Sequence, residues 1–119
     1  MPRRSLRRSD SKLEAFQCRD ENLIASWYLN MKTSGRADDV FYAGPHDIRW
    51  VLDWVRSCNL FYITTKDDIV SGAGWIQNAV VLRDGEDAVS KGELGFGFTT
   101  QCSAFEALES GKMILDDIF

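Results

Sequence analysis

Three β-type runs stand close together between Leu60 and Thr99, and this constrains the fold more than any other feature. "LFYITT" (Leu60–Thr65) is aromatic and β-branched. "KDD" is a tight turn, and "IVSGAGWIQNAVVL" (Ile69–Leu82) is a long strand region. After the polar loop "RDGEDAVSKG", the run "ELGFGFT" (Glu93–Thr99) sets Leu94, Phe96 and Phe98 on one face against Gly95 and Gly97 on the other. Consecutive strands with short links pair antiparallel, because a parallel return needs a crossover of about a dozen residues. Gly72 and Gly74 interrupt the long run and predict a bulge or bend there.

Helical patterns flank these strands. In "DENLIASWYLNMK", Asp20 is placed to cap, Glu21 suits the first turn, and Leu23, Ile24, Trp27, Tyr28 and Met31 share one face. Gly35 is the expected stop. A second helix carries Ile48, Val51, Leu52 and Val55, with Gly44 before it and Pro45 suited to its first position. The last helix opens at "SAFE", where Ser103 and Glu106 have capping-box spacing. "KLEAFQC" (Lys12–Cys18) is a short strand or an irregular lead-in. The order helix, helix, strand, strand, strand, helix predicts an α+β domain: an antiparallel sheet of three to four strands covered by helices in two or three layers.

A hydrophobic share of 45% with 12% aromatic residues excludes a disordered chain, and 119 residues suffice for one domain with a core of its own. Cys18, Cys58 and Cys102 have no CxxC spacing and only His46 to join them, so a structural zinc site is not expected. They read as small buried thiols. No apolar run approaches the roughly 18 residues of a membrane span, and the basic N-terminus lacks the apolar stretch of a secretory signal.

Charge is unevenly spread. Residues 1–12, "MPRRSLRRSDSK", hold five basic residues and one acid; this arm of +4 leaves −8 for the rest of a chain whose net charge is −4. Such an arm, with Arg3, Arg4, Arg7 and Arg8, reads as a solvated tail, a segment that docks on an acidic protein groove, or a contact to nucleic acid. The domain proper is then 13–119. The acid pairs Asp38–Asp39, Asp67–Asp68 and Asp116–Asp117 read as solvated turn and helix-end groups. The last pair opposes the helix dipole and calls for basic company, for which the arm is one source.

The hairpin "FYITTKDDIVSGAGWI", the strand "GELGFGF" and the helix "AFEALESGKMILDDIF" together resemble the N-terminal portion of the GNAT (GCN5-related N-acetyltransferase) fold, over roughly Leu13 to Phe119. The likeness is nearest in character to the small GNAT-like proteins of short-tailed phages linked with head assembly. The resemblance places the acyl-CoA pyrophosphate loop at "TTQCSAFEAL", with Gln101, Cys102 and Ser103 as cofactor-binding candidates and Glu93 as a candidate general base. Two departures oppose that activity. The loop has lost the glycines that let backbone amides approach a phosphate, and Glu106 would stand near that phosphate. The resemblance ends at Phe119, so the later strands around the pantetheine are expected to be missing.

Gly95 and Gly97 do not continue into GxGxxG, so they read as strand glycines that permit close packing. His46, in a first helical turn, suits a neutral base but reads as a surface histidine. Cys102 lies just before a helix, where thiolate is favoured, yet no second histidine is present to activate it. The expected function is a non-catalytic GNAT-like phage structural, assembly or accessory protein, in virion or host cytoplasm, without cofactor. It would bind other proteins, phage or self, through Arg3, Arg4, Arg7, Arg8, Phe96 and Phe98, with the arm available to nucleic acid. The alternatives are a small acetyl-CoA-dependent N-acetyltransferase, one that dimerisation would complete, and a phage-encoded inhibitor of a host enzyme. An open edge on "ELGFGFT" and four tryptophans in a small domain point toward the protein-binding reading.

Overall fold

The computed structural model describes residues 4–8, 11–37, 47–82 and 89–118. Five strands form one sheet: β1 (Arg4–Arg8), β2 (Ser11–Gln17), β3 (Leu60–Lys66), β4 (Ile69–Leu82) and β5 (Val89–Phe98). Their order is β1-β2-β3-β4-β5, each pair antiparallel. Helix α1 (Glu21–Thr33) and helix α2 (Ile48–Ser57) lie in sequence between β2 and β3, and helix α3 (Ala104–Ile118) follows β5. The class is α+β, with an antiparallel sheet between two helical layers.

The strand beyond the three or four expected comes from the basic arm. Arg4 pairs opposite Ala15 and Arg8 opposite Ser11, so the backbone of Arg4–Arg8 is an edge strand and not a tail. Ser11 and Lys12 belong to β2. Charge composition marks this segment as solvated; nothing in it reports the ladder partner that β2 offers.

Local signals set most boundaries. The Asp20 carboxylate accepts from the amides of Asn22 and Leu23, capping α1. Gly35, at φ 76°, ends it: its N–H bonds Lys32 O and the N–H of Arg36 bonds Met31 O, the paired contacts of a Schellman motif. Helix α2 is capped by Asp47, whose side chain accepts from Trp50 N. The first helical residue is therefore Ile48 and not Pro45; Pro45 and Gly44 lie outside the described residues, as do Asp38 and Asp39. In the β3–β4 turn Asp67 and Asp68 take φ of 50° and 67°, conformations a two-residue hairpin requires and aspartate tolerates. Asp67 also grips β2, its Oδ1 accepting from Lys12 N at 2.8 Å and its N–H donating to Lys12 O at 2.8 Å.

Strand alternation divides the core. On one face Phe16, Phe61, Ile63, Ala73 and Trp75 meet Ile24, Trp27, Tyr28 and Met31 of α1 and Val51 and Val55 of α2. The rings interlock: Trp54 and Trp75 cross edge-on at 4.9 Å, and Phe61 stacks on Trp75 at 6.1 Å. Three of the four tryptophans thus serve this core, which corrects the expectation that they mark a binding surface. On the other face Ala15, Tyr62 and Ile114 form a thinner cluster with Phe96, Met113 and Ile118.

The bulges fall beside the glycines of β4. Thr64 pairs with Gly72 and Thr65 with Val70, leaving Ser71 as the extra residue. The ladder slips again after Gln77, where Asn78 has φ 55°. The glycines themselves make room for rings. A Cβ on Gly72 would lie 2.3 Å from the Phe98 ring, and one on Gly95 would lie 2.4 Å from the Trp75 indole. Gly95 is therefore a packing glycine, as the sequence predicts. Gly97 also sits within β5, where its carbonyl accepts from Trp27 Nε1 at 2.9 Å and ties the strand to α1.

Candidate interaction site

The loop from β5 to α3 is closed on itself. Thr99 is fully buried; its N–H and its hydroxyl both donate to Ser71 O, at 2.8 and 3.1 Å. The same hydroxyl accepts from Gln101 N at 3.2 Å, and Thr99 O accepts from Cys102 N at 3.3 Å. Ser103 N donates to Glu106 Oε1 at 3.0 Å and Glu106 N donates to Ser103 Oγ at 3.2 Å, the reciprocal pair of a capping box. All three cofactor-binding candidates, Gln101, Cys102 and Ser103, thus have their amides engaged inside the loop.

Glu106 is also held from the sheet. Lys66 Nζ reaches its Oε1 at 2.9 Å and Gln101 O at 3.3 Å. The Ser103 amide first, and then Lys66, keep the Glu106 carboxyl below the usual carboxylate range, while the bond to Glu106 raises Lys66 above its ordinary value. A carboxylate of the chain itself stands at the positive end of α3, with a lysine as its counter-ion.

Glu93 is exposed in the middle of β5. Its Oε2 accepts from Gln77 Nε2 at 3.0 Å and from Asn78 Nδ2 at 3.2 Å, and Gln77 Oε1 accepts from Trp54 Nε1 at 3.1 Å. The structure brings Glu93 to the β4 bulge, and its partners Gln77 and Asn78 are there and not in the loop of Gln101–Ser103 that follows β5. Burial pushes the Cys102 thiol up, with the hydrogen bond to Ser71 opposing, which corrects the expectation of a favoured thiolate. Burial likewise raises Cys58 to about 11, despite Arg19. The Arg19 guanidinium is taken up by the carbonyls of Val55 and Cys58 at the end of α2. Arg3 and His46 lie outside the described residues, and Arg4, Arg7 and Arg8 sit in β1. Asp117 is not simply solvated: the Tyr62 hydroxyl donates to its Oδ2 at 2.6 Å. No cluster of metal-holding side chains occurs among the described residues, and none of their helices is long and apolar enough to cross a membrane.

Phe96 and Phe98 are brought together. Their rings stack at 6.0 Å on the α3 side of β5. They form the floor of a groove of about 330 Å³ whose other wall is α3, from Ala107 and Leu108 to Gly111 and Leu115. Among the described residues, Lys112 is its one charged lining residue. Leu94 and Leu108 stand exposed beside it, at 45% and 61%. Among the described residues no strand pairs with the outer side of β5. The groove walls were not singled out beforehand, because Ala107, Leu108, Gly111 and Leu115 have the spacing of an ordinary core stripe; only their helix's position beside an edge strand leaves them uncovered. Compared with models of known protein families, with curated proteins and with solved structures, the chain matches none.

Proposed function

We propose that the chain is a non-catalytic GNAT-like domain that binds other proteins through the β5–α3 face. One observation carries this reading: the Glu106 carboxylate occupies the N-terminal end of α3, bound by Ser103 N and Lys66 Nζ. A diphosphate arriving there would meet a like charge and would have to displace bonds already made by the amides of Gln101, Cys102 and Ser103. The separation of Glu93 from this loop further supports it. The apolar groove floored by Phe96 and Phe98 supplies the contact surface, since apolar patches of this kind on soluble domains mark interaction sites. A role in phage assembly is the extension that the sequence resemblance suggests.

Isothermal titration calorimetry with acetyl-CoA tests the reading. No binding heat is expected; micromolar affinity would replace it with the acetyltransferase alternative. The assembly role is checked by looking for the chain in purified particles, where its absence would sink that extension alone.

A further inference from the structure

Resting on the reading that the β5–α3 face binds protein, we infer that its occupant is a second copy of this chain, paired antiparallel along β5 about a two-fold axis at Phe96. The ladder geometry leads there. Thr99 N is bonded inward to Ser71 O. In an antiparallel sheet the backbone groups alternate sides, so those of Leu94, Phe96 and Phe98 point away from β4. Arg36 Nη1 on Phe98 O at 3.2 Å agrees with this, and leaves that carbonyl a second lone pair.

The exposed strand is self-complementary. With the axis at Phe96, Leu94 faces the partner's Phe98, Gly95 faces the partner's Gly97, and Phe96 faces the partner's Phe96. Of these, Leu94, Phe96 and Phe98 are the positions whose N–H and C=O groups point outward, so both edges find partners together. Large residues meet large ones on the α3 side, and small meet small on the other. Charge permits this contact. The body outside the arm is strongly negative, and Leu94–Thr99 contains no charged residue that would repel its own copy. Nor does it contain a proline or a lysine, the usual devices that block an edge.

Sedimentation equilibrium of the full chain, from micromolar to millimolar, tests this. The mass is expected to rise from 13.5 kDa toward twice that value. Leu94→Lys, at an exposed position, should keep the far-UV spectrum and melting curve of the parent while weakening the dimer by roughly tenfold or more. Leu29→Lys, exposed on α1, should leave the dimer unchanged. In the parent, hydrogen exchange at the amides of Leu94, Phe96 and Phe98 should slow as concentration rises. A single-chain mass throughout overturns the inference, as does a dimer indifferent to Leu94→Lys. Either result leaves the protein-binding reading standing if acetyl-CoA fails to bind, whereas acetyl-CoA binding removes that reading whatever the mass.

Discussion

The two faces of the sheet are built to different ends. The α1–α2 face is filled with interlocked rings: Trp27, Trp54, Phe61 and Trp75 are joined edge-on or stacked, and Trp27 is fully buried with its N–H spent on Gly97 O. The α3 face is fastened by polar contacts at both ends of the helix and by a few apolar residues between, and it leaves Phe96 and Phe98 at the floor of a groove. Ring packing on the first face supplies stability; the second face leaves an apolar groove open. The lesson is that the aromatic content of a small domain does not locate its binding surface. Most of the tryptophan is consumed by the core, and the two phenylalanines at the floor of the groove lie on the edge strand β5.

Substitutions sharpen this contrast, beginning with the largest effect. Trp27→Ala should cost about 3–5 kcal/mol, since it empties the centre of the ring cluster and removes the indole donor to the Gly97 carbonyl. Because domains of this size hold only ~5–15 kcal/mol in total, urea titration should show a large loss, and a shift below ~1 kcal/mol would contradict the asymmetry. Gly95→Ala should cost about 1–3 kcal/mol, because the Trp75 indole it would strike is locked between Trp54 and Phe61 and cannot swing aside. Thermal melts that match the parent would show that the ring cluster yields more readily than argued. Tyr62→Phe, which removes the donor to Asp117, should cost about 1.5 kcal/mol by the same urea titration.

Ser103→Ala should cost about 1 kcal/mol through the lost cap. Glu106→Gln adds a pH signature. The folded-state value of Glu106 lies below its unfolded one, so its contribution is present above the ordinary carboxylate range and is lost as pH falls through the folded value. The stability gap between parent and Glu106→Gln should therefore be open at neutral pH and close on acidification. Lys66 behaves oppositely: raised in the fold, its contribution holds below the ordinary lysine value and fades as pH climbs through the raised one. Leu108→Lys, on the exposed wall of the groove, should change stability by no more than about 0.5 kcal/mol. A destabilisation comparable with Gly95→Ala would mean that the groove is part of the core.

Local physics made most of the fold legible. The caps at Asp20 and Ser103, the stop at Gly35 and the alternation in β5 are signals written within a few residues, and each stands where the pattern put it. What escaped depends on residues far apart in sequence. The pairing of Arg4–Arg8 with β2 needs an available ladder, which composition cannot report. The start of α2 turned on Asp47 as a cap, where proline competed for the same turn. Asp117 looked like an unfavourable helix-end charge until Tyr62, 55 residues away, supplied a donor. At the candidate site, the shared face of Phe96 and Phe98 was readable from the glycine-spaced alternation of their strand. The Lys66–Glu106 bond joins strand to helix across 40 residues and had no sequence signature.

The two polar contacts of α3 share one strand. Lys66 of β3 holds Glu106 and Tyr62 of β3 holds Asp117, so side chains of β3 clamp the helix toward either end. Eleven helical residues span about 16 Å and four strand residues about 13 Å, so the two anchor spacings nearly match. The helix behaves as a splint bolted twice to the same rail. It cannot slide or roll without loosening a bolt, and the clearance between it and the neighbouring strand is thereby gauged in advance, before anything arrives to fill it.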